Sequence, residues 1–434
     1  MQAISQVPRL SGFEMVMALS SALDLIAPSV VGHHKRVAYM ATRLAAASGL
    51  SGELQARVGL AGALHDVGVL TREQVRTLHD PRVASDEDDG HGEFGDRLLA
   101  SFEPTAPLAP LIRHHHVSWH RDRPETGRAP IESHILHLAD RVDVQIRLDG
   151  EILGQVPGIV DGIVERSGTS FAPDLVDAFR QLAEQEGFWL DMVTPGLDAL
   201  LGGMLAGNSL DYALTFDNLL GISRLFSQII DFRSRFTAAH SAGVAIVAQT
   251  LARELGFSPE DCDLMRLAGY LHDLGKLAVP AEILEKPGSL TQDELWVVRK
   301  HSYYTDKVLR TLSGFDTIRA WAASHHETLD QQGYPFRLGA DRLDLGARVM
   351  AVADVFAAIS EDRPYRSRML GAEVLEVFDG LSAARKLDPE VIGILLANQD
   401  VLRGHLETVQ QAVAEGYYAV VPSGRSDEPP SDNP

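Results

Sequence analysis

A chain of 434 residues is long enough for two or three domains, and its 45% hydrophobic and 23% charged content is that of an ordinary globular protein. A formal charge of −21 excludes general binding to nucleic-acid polymers or anionic membranes, which need a basic face, while leaving room for a small anionic ligand held by a few local cations. One cysteine, Cys262, excludes an internal disulfide framework; no long apolar run and no charged-then-apolar leader is found, so a cytoplasmic protein without a membrane segment is the expectation.

The periodicity predicts helices nearly throughout, with room for one or two short strands in the loops. In chain order, the first polar landmark is Gly32-His33-His34-Lys35-Arg36. An apolar run then ends in Leu64-His65-Asp66-Val67-Gly68-Val69. The acidic run Asp86-Glu87-Asp88-Asp89 reads as a solvated loop before His91. His115-His116 follows, then Val117-Ser118-Trp119-His120, and then Leu138-Ala139-Asp140-Arg141-Val142, which sets one aspartate in an apolar stretch. His34, His114 and His120 have no assigned role and are expected at the surface.

After a seam expected near Ala206 to Ala213, the landmarks return. His240 precedes a helix whose apolar positions Val244, Val247, Leu251 and Leu255 lie on one face, with Gly256 as its stop. Ser258-Pro259-Glu260-Asp261 reads as an N-cap, a first-turn proline and an acidic N3 residue. The helix that follows carries Cys262, without a chemical role, and places Leu264, Leu267 and Leu271 on one face before Gly269-Tyr270-Leu271-His272-Asp273-Leu274-Gly275-Lys276. Then come His301, the pair His325-His326, and Asp354 in Val352-Ala353-Asp354-Val355-Phe356. His33 to His65 and His240 to His272 are both 32 residues apart; His91 to His115 and His301 to His325 are both 24 apart. Closing helices also correspond, Phe171-Ala172-Pro173-Asp174 against Leu387-Asp388-Pro389-Glu390. The chain is therefore read as a duplication: domains 1–205 and 206–416, with a disordered acidic tail over 417–434.

One His-Asp dipeptide usually means nothing, and a lone buried histidine is more often a hydrogen-bonded core residue. An ordered set repeated with the same spacings is different. His272, Asp273, His301, His325, His326 and Asp354 offer imidazole and carboxylate but no thiolate, which suits iron, manganese or similar divalent ions better than structural zinc. His240 points toward the same core side, and an aspartate such as Asp354 on an apolar helix is costly unless paired or bound to a cation. Ligands from several helices around one His-Asp pair suit two metals sharing a carboxylate, an arrangement that acts on phosphate esters. Lys276, one turn on, is placed as a phosphate contact or an added ligand partner.

The second copy, over Phe216 to Asn398, resembles the HD-GYP family of the HD phosphohydrolase superfamily. The resemblance is carried by His325-His326-Glu327-Thr328-Leu329-Asp330 and Gly333-Tyr334-Pro335, by His272-Asp273-Leu274-Gly275-Lys276, by Leu290-Thr291-x-x-Glu294 and by Arg363-Pro364-Tyr365-Arg366. It implies an all-helical fold of two tandem HD-type domains and a bacterial signalling hydrolase. The implied reaction is hydrolysis of cyclic di-GMP to pGpG, with GMP as a slower further product. The implied metal ligands are His240, His272, Asp273, His301, His325, His326 and Asp354. Asp273 would bridge two divalent ions, iron or manganese. Lys276 would contact phosphate, and Gly333, Tyr334 and Pro335 would shape the substrate site. Arg363 and Arg366 are candidates for phosphate or guanine contacts, with local salt bridging as the plain alternative.

Three positions depart from the family pattern. Phe236 stands where three-metal members carry an acid, which favours two metals. Gln331 follows Asp330 where a glycine is expected, and Thr305 replaces a glycine after His301. The first copy, over Phe13 to Val193, resembles an HD domain without the Gly-Tyr-Pro element. Its set His33, His65, Asp66, His91, His115, His116 and Asp140 is intact as a second metal site, but Val69 replaces the lysine. An accessory, regulatory or dimerising role is expected for it, with a homodimer or a signalling protein as partner. Two other readings compete for the whole chain: hydrolysis of another cyclic dinucleotide, and a non-hydrolytic cyclic di-GMP receptor.

Overall fold

The computed structural model describes residues 10–26, 31–69, 71–78, 90–122, 129–205, 215–231, 239–286, 288–361 and 367–420. Among these the chain is all-helical; no strand forms, and the loops hold only an isolated bridge between Ser167 and Phe171. The loop strands left open by the sequence do not appear among the described residues.

The two copies lay down the same elements in the same order. After a leading helix, Gly12–Leu23 and Phe216–Asp231, each has a helix opened by a histidine, His33–Ala47 and His240–Glu254. Each continues with a helix that ends at the His-Asp pair, Gly52–Leu64 and Pro259–Leu271. The third histidine lies on His91–Ala100 and Gln292–Leu309, and the paired histidines follow the short helices Ala109–Arg113 and Asp316–Ala323. The buried aspartates lie on Ile131–Asp143 and Leu345–Ile359, and the closing helices are Pro173–Ala183 and Pro389–Ala397.

Local chemistry sets these bounds. Ser51 and Ser258 cap their helices by accepting from the N3 backbone N–H groups of Leu54 and Asp261, and Asp261 adds a charge that the helix dipole favours. Thr291 and Glu294 form a reciprocal capping box, so the helix that carries His301 starts well upstream of it. His91 instead opens its helix behind Gly90, whose φ of 86° belongs to glycine.

In each copy the histidine-opened helix packs against the His-Asp helix on one side and the aspartate helix on the other. Leu264, Leu267 and Leu271 are buried as their spacing demands, as are Val349, Val352 and Phe356 around Asp354; Cys262 is buried and free. Each such side chain taken from water contributes roughly 1.5–3 kcal/mol. The apolar interior is continuous across both copies. The ring of Phe102 lies over Gly221, where a Cβ would stand 2.6 Å away, and the helix Gly12–Leu23 packs on the segment Leu274–Ala278 of the second copy. The expected seam lies outside the described residues, between the helices Leu197–Leu205 and Phe216–Asp231. The helix Gln399–Val420 runs past the expected start of the tail; residues beyond it are outside the described set. No helix among the described residues is long and apolar enough to cross a membrane.

Candidate metal centres

The structure brings all seven sequence-predicted residues of the second copy together. His272 is the C-cap of its helix, and its Nδ1 donates to the Gly269 carbonyl at 2.8 Å, an acceptor the helix end leaves free. His301 and His325 do the same, donating to Val298 O and Ala322 O, each at 2.6 Å. These bonds fix the tautomer: Nδ1 carries the proton and Nε2 presents a lone pair inward. Gly275 lets the third-histidine helix close on the pair, since a Cβ there would lie 1.9 Å from His301 O; Gly68 serves the first copy alike, at 2.1 Å from His91 O.

Asp273 divides the ligands. Its Oδ2 faces His272 Nε2 at 3.1 Å and His240 Nε2 at 3.8 Å, and its Oδ1 faces His301 Nε2 at 3.5 Å and His325 Nε2 at 4.0 Å. Asp354 completes the first group, 3.1 Å from His240 and 3.8 Å from His272, and reaches His326 at 3.9 Å. The result is two ligand clusters, His240-His272-Asp273 and His301-His325-His326, with one carboxylate between them.

A cation fits this arrangement on its own terms. His301 Nε2 and His325 Nε2 stand 3.1 Å apart, both with their protons committed elsewhere; Ser302 Oγ, 3.2 Å from His301, can lend one proton. His272 Nε2 is buried and makes no hydrogen bond, although Asp273 Oδ2 is beside it. Lone pairs that converge without a proton between them repel in a low-dielectric interior unless a positive ion lies among them.

The surroundings add Glu361, which sequence reasoning missed, and show what the motif residues touch. Glu361, buried, faces His240 Nδ1 at 3.3 Å and orients that ring. It lies two helical turns beyond Asp354, the only sequence signal for it. Glu327, also buried, pins the Gly-Tyr-Pro loop by accepting from Phe336 N at 2.6 Å and Leu338 N at 2.9 Å. Gly333 is required there, because a Cβ would meet Glu327 Cα and Thr328 N at 2.5 Å. Tyr334 lies 4.8 Å from the His326 ring, tilted by 36°, with the Arg299 guanidinium 4.5 Å from its own centroid; Pro335 follows it through a cis bond. Gln331 adopts a φ of 63°, so the turn keeps the left-handed backbone of the glycine it replaces. Thr305 accepts from Gly275 N and donates to His272 O, both at 2.9 Å, tying the His-Asp loop to the third-histidine helix. Lys276 Nζ rests 2.6 Å from Asp273 Oδ2 and is partly exposed.

The first copy repeats the skeleton. Asp66 Oδ2 faces His65 at 3.3 Å and His33 at 3.7 Å; Asp66 Oδ1 faces His91 at 3.6 Å and His115 at 3.9 Å. His116 Nε2 is 3.2 Å from His91 Nε2, and Asp140 Oδ1 lies 3.5 Å from His33. The setting differs. Val69 is buried and apolar, and Arg141 instead grips Asp140 Oδ2 at 2.6 Å. Asp143 holds His33 Nδ1 at 2.7 Å and takes Arg36 at 2.6 Å. His116 is buried, whereas His326 is partly exposed. His34 corrects the surface expectation: it is 3% exposed, because it shares the inward side of the helix start with His33 and finds a partner in Asp24. His114 is half-buried and His120 exposed.

Burial opposes a charge on His240, but Glu361 and Asp354 outweigh it and push its pKa up to about 10. Burial opposes His65 in the same way, and Asp66 and Asp140 raise it to about 9. His301 and His115 go the other way, down to about 3; burial leads in both, followed at His301 by the opposing Asp273 and at His115 by the neighbouring rings of His91 and His65. Burial disfavours ionised Asp273, yet His272 and Lys276 hold it well below the usual carboxylate range.

Arg363, Arg366, Phe236 and the acidic run Asp86 to Asp89 lie outside the described residues. Two family models, each described as an HD domain, match residues 30–145 and 224–391. The 3'3'-cGAMP-specific phosphodiesterase 1 of Vibrio cholerae serotype O1 is 32% identical over 388 residues, spanning 88% of this chain and 90% of its own. The cyclic di-GMP phosphodiesterase response regulator of Xanthomonas campestris pv. campestris is 36% identical over 177 residues, spanning 40% of this chain and 46% of its own. A crystal structure of a cyclic GMP-AMP specific phosphodiesterase of V. cholerae covers 90% of this chain and 98% of its own, with a TM-score of 0.64 at 24% identity, a likeness of fold.

Proposed function

The chain belongs to the HD-GYP family, with two HD domains in tandem, and from that premise we propose that its C-terminal copy hydrolyses a cyclic dinucleotide. The observation that carries the proposal is Lys276 on Asp273, at the partly open side of a two-cluster site. His240, His272, Asp273 and Asp354 would hold one divalent ion, and Asp273, His301, His325 and His326 a second; imidazole with carboxylate favours Fe2+ or Mn2+. Such a pair supplies Lewis acidity at phosphorus and a water that deprotonates near neutral pH. The chain's own residues do the rest. Lys276 turns from Asp273 to a non-bridging phosphate oxygen and stabilises the charge that develops there. Glu361 keeps the His240 ring in register, and Glu327 keeps Tyr334 against His326 as one wall of the substrate site. Residues 1–205 act as an accessory domain to the catalytic 206–416.

Between substrates, 3'3'-cGAMP is favoured over the cyclic di-GMP that the motifs suggest. A relative that matches over both copies carries that specificity in its name, whereas cyclic di-GMP relatives match 40% and 32% of the chain. Anaerobic assays of the full chain loaded with Fe2+ or Mn2+ test this against both dinucleotides. Turnover of 3'3'-cGAMP at least about tenfold faster, in kcat/KM, supports the reading. Preference for cyclic di-GMP reverses the substrate assignment. Binding without turnover of either removes the hydrolase assignment and leaves a receptor.

A further inference from the structure

The first copy has an imidazole that the second lacks. His34 stands where the second copy has Ser241. Its Nδ1 lies 2.7 Å from Asp24 Oδ1, and an ionised carboxylate only accepts, so Nδ1 holds a proton and, in the neutral ring, Nε2 carries the lone pair. That Nε2 is buried and has no hydrogen-bond partner. It lies 4.0 Å from Asp66 Oδ2, and the ring centroids of His33 and His65 are 5.2 and 5.5 Å away. A buried acceptor left unpaired costs roughly 1–3 kcal/mol; buried His134 bears the same cost beside Asp122, so what singles out His34 is the donor cluster its Nε2 faces. A carboxylate on one ring nitrogen, with the other aimed at a cluster of donors, is the arrangement of a metal ligand and its orienting partner. Asp24 is itself fixed: it caps the helix Gly12–Leu23, and its Oδ2 accepts from Gly32 N at 2.8 Å. The oxygen that His34 approaches, Asp66 Oδ2, corresponds to Asp273 Oδ2, which Lys276 covers in the second copy.

We propose that His34 is a ligand in the N-terminal copy, adding a third imidazole to an ion held by His33, His65, Asp66 and Asp140, with Asp24 as its positioning residue. Where the second copy sets an ammonium to meet phosphate, the first sets a lone pair to meet metal. The extra nitrogen donor shifts preference from Mn2+ toward Co2+, Ni2+ or Zn2+. The inference needs the N-terminal cluster to hold an ion but does not need the C-terminal copy to be a hydrolase, because activity is not the readout.

The test uses the full chain with His272→Ala, Asp273→Ala, His301→Ala and His325→Ala, which dismantles both ligand clusters of the second copy and confines tight binding to the first. It is loaded anaerobically with Co2+ and followed by visible absorption and by competition with a chelator. His34→Ser and Asp24→Asn are each expected to weaken Co2+ retention about 10- to 100-fold, with a changed absorption band for His34→Ser. Circular dichroism checks the fold; if His34→Ser loses helicity, His34→Gln and Asp24→Asn decide. Unchanged retention and spectrum overturn the proposal and make His34 a core residue. Absence of tight Co2+ binding in the parent chain overturns it as well.

Discussion

The two sites share a skeleton and differ in where their cations sit. Among the described residues, the cation on the second copy's site is Lys276, on the bridging Asp273 and partly exposed. In the first it is Arg141, 8% exposed and locked between Asp140 and the Leu78 carbonyl, with Arg36 behind it on Asp143. The second copy has Val355 and Gly243 in place of those arginines. A mobile ammonium at the mouth can leave its carboxylate for a substrate, whereas a buried bidentate guanidinium cannot without stranding charge. One skeleton thus serves two tasks, and the difference lies in the charges around it.

The largest expected break in the comparison is Asp273→Ala, which removes the shared carboxylate and should lower kcat at least about a thousandfold, some 4 kcal/mol. Asp66→Ala should leave kcat within a few-fold; equal losses in a single-turnover assay would mean that both copies catalyse. Lys276→Ala should cost about a hundredfold in kcat with metal content unchanged by elemental analysis, while Val69→Lys should confer nothing, because the first copy's sequence has no Gly-Tyr-Pro element after its paired histidines.

The next prediction concerns pH. His240 and His65, raised to about 10 and about 9, carry protons in the metal-free chain that an ion must displace. Metal affinity should therefore rise as pH goes from 6 to 9, with proton uptake by a buffer dye on binding; His115 and His301, already neutral, add nothing to that slope. A flat Mn2+ isotherm over this range would contradict the assignment. The smallest effect is Thr305→Gly, which strands the buried Gly275 N–H and should cost about 1–3 kcal/mol, a few degrees in Tm. The first copy has Gly95 at that position, and the swap Gly95→Thr should be worse than neutral, because a Cβ there meets Ile112 at 2.9 Å.

The ligand skeleton was legible in the sequence because each ligand sits at a fixed place on a helix or just past its end, so equal spacings mean equal positions. The helix starts at Ser258 and Thr291 were legible for the same local reason. Glu361, Asp143, Asp24 and Arg141 were not, since each acts through a contact that only the tertiary fold creates. His34 shows the limit most clearly. Beside His33 it read as a surface residue, and only the packing of the helix Gly12–Leu23 brings Asp24 to its Nδ1. Thr305 and Gln331 read as departures from a pattern, but the fold gives the first two hydrogen bonds and tolerates the second in a left-handed turn.

The single apolar interior that runs under both copies has a thermodynamic consequence. With Phe102 seated on Gly221 and the first helix seated beside Lys276, neither copy can melt without exposing the other. The chain should give one calorimetric transition, and an ion bound to the native state of either copy raises that same Tm by mass action. Saturating one centre therefore steadies the helices that carry the other.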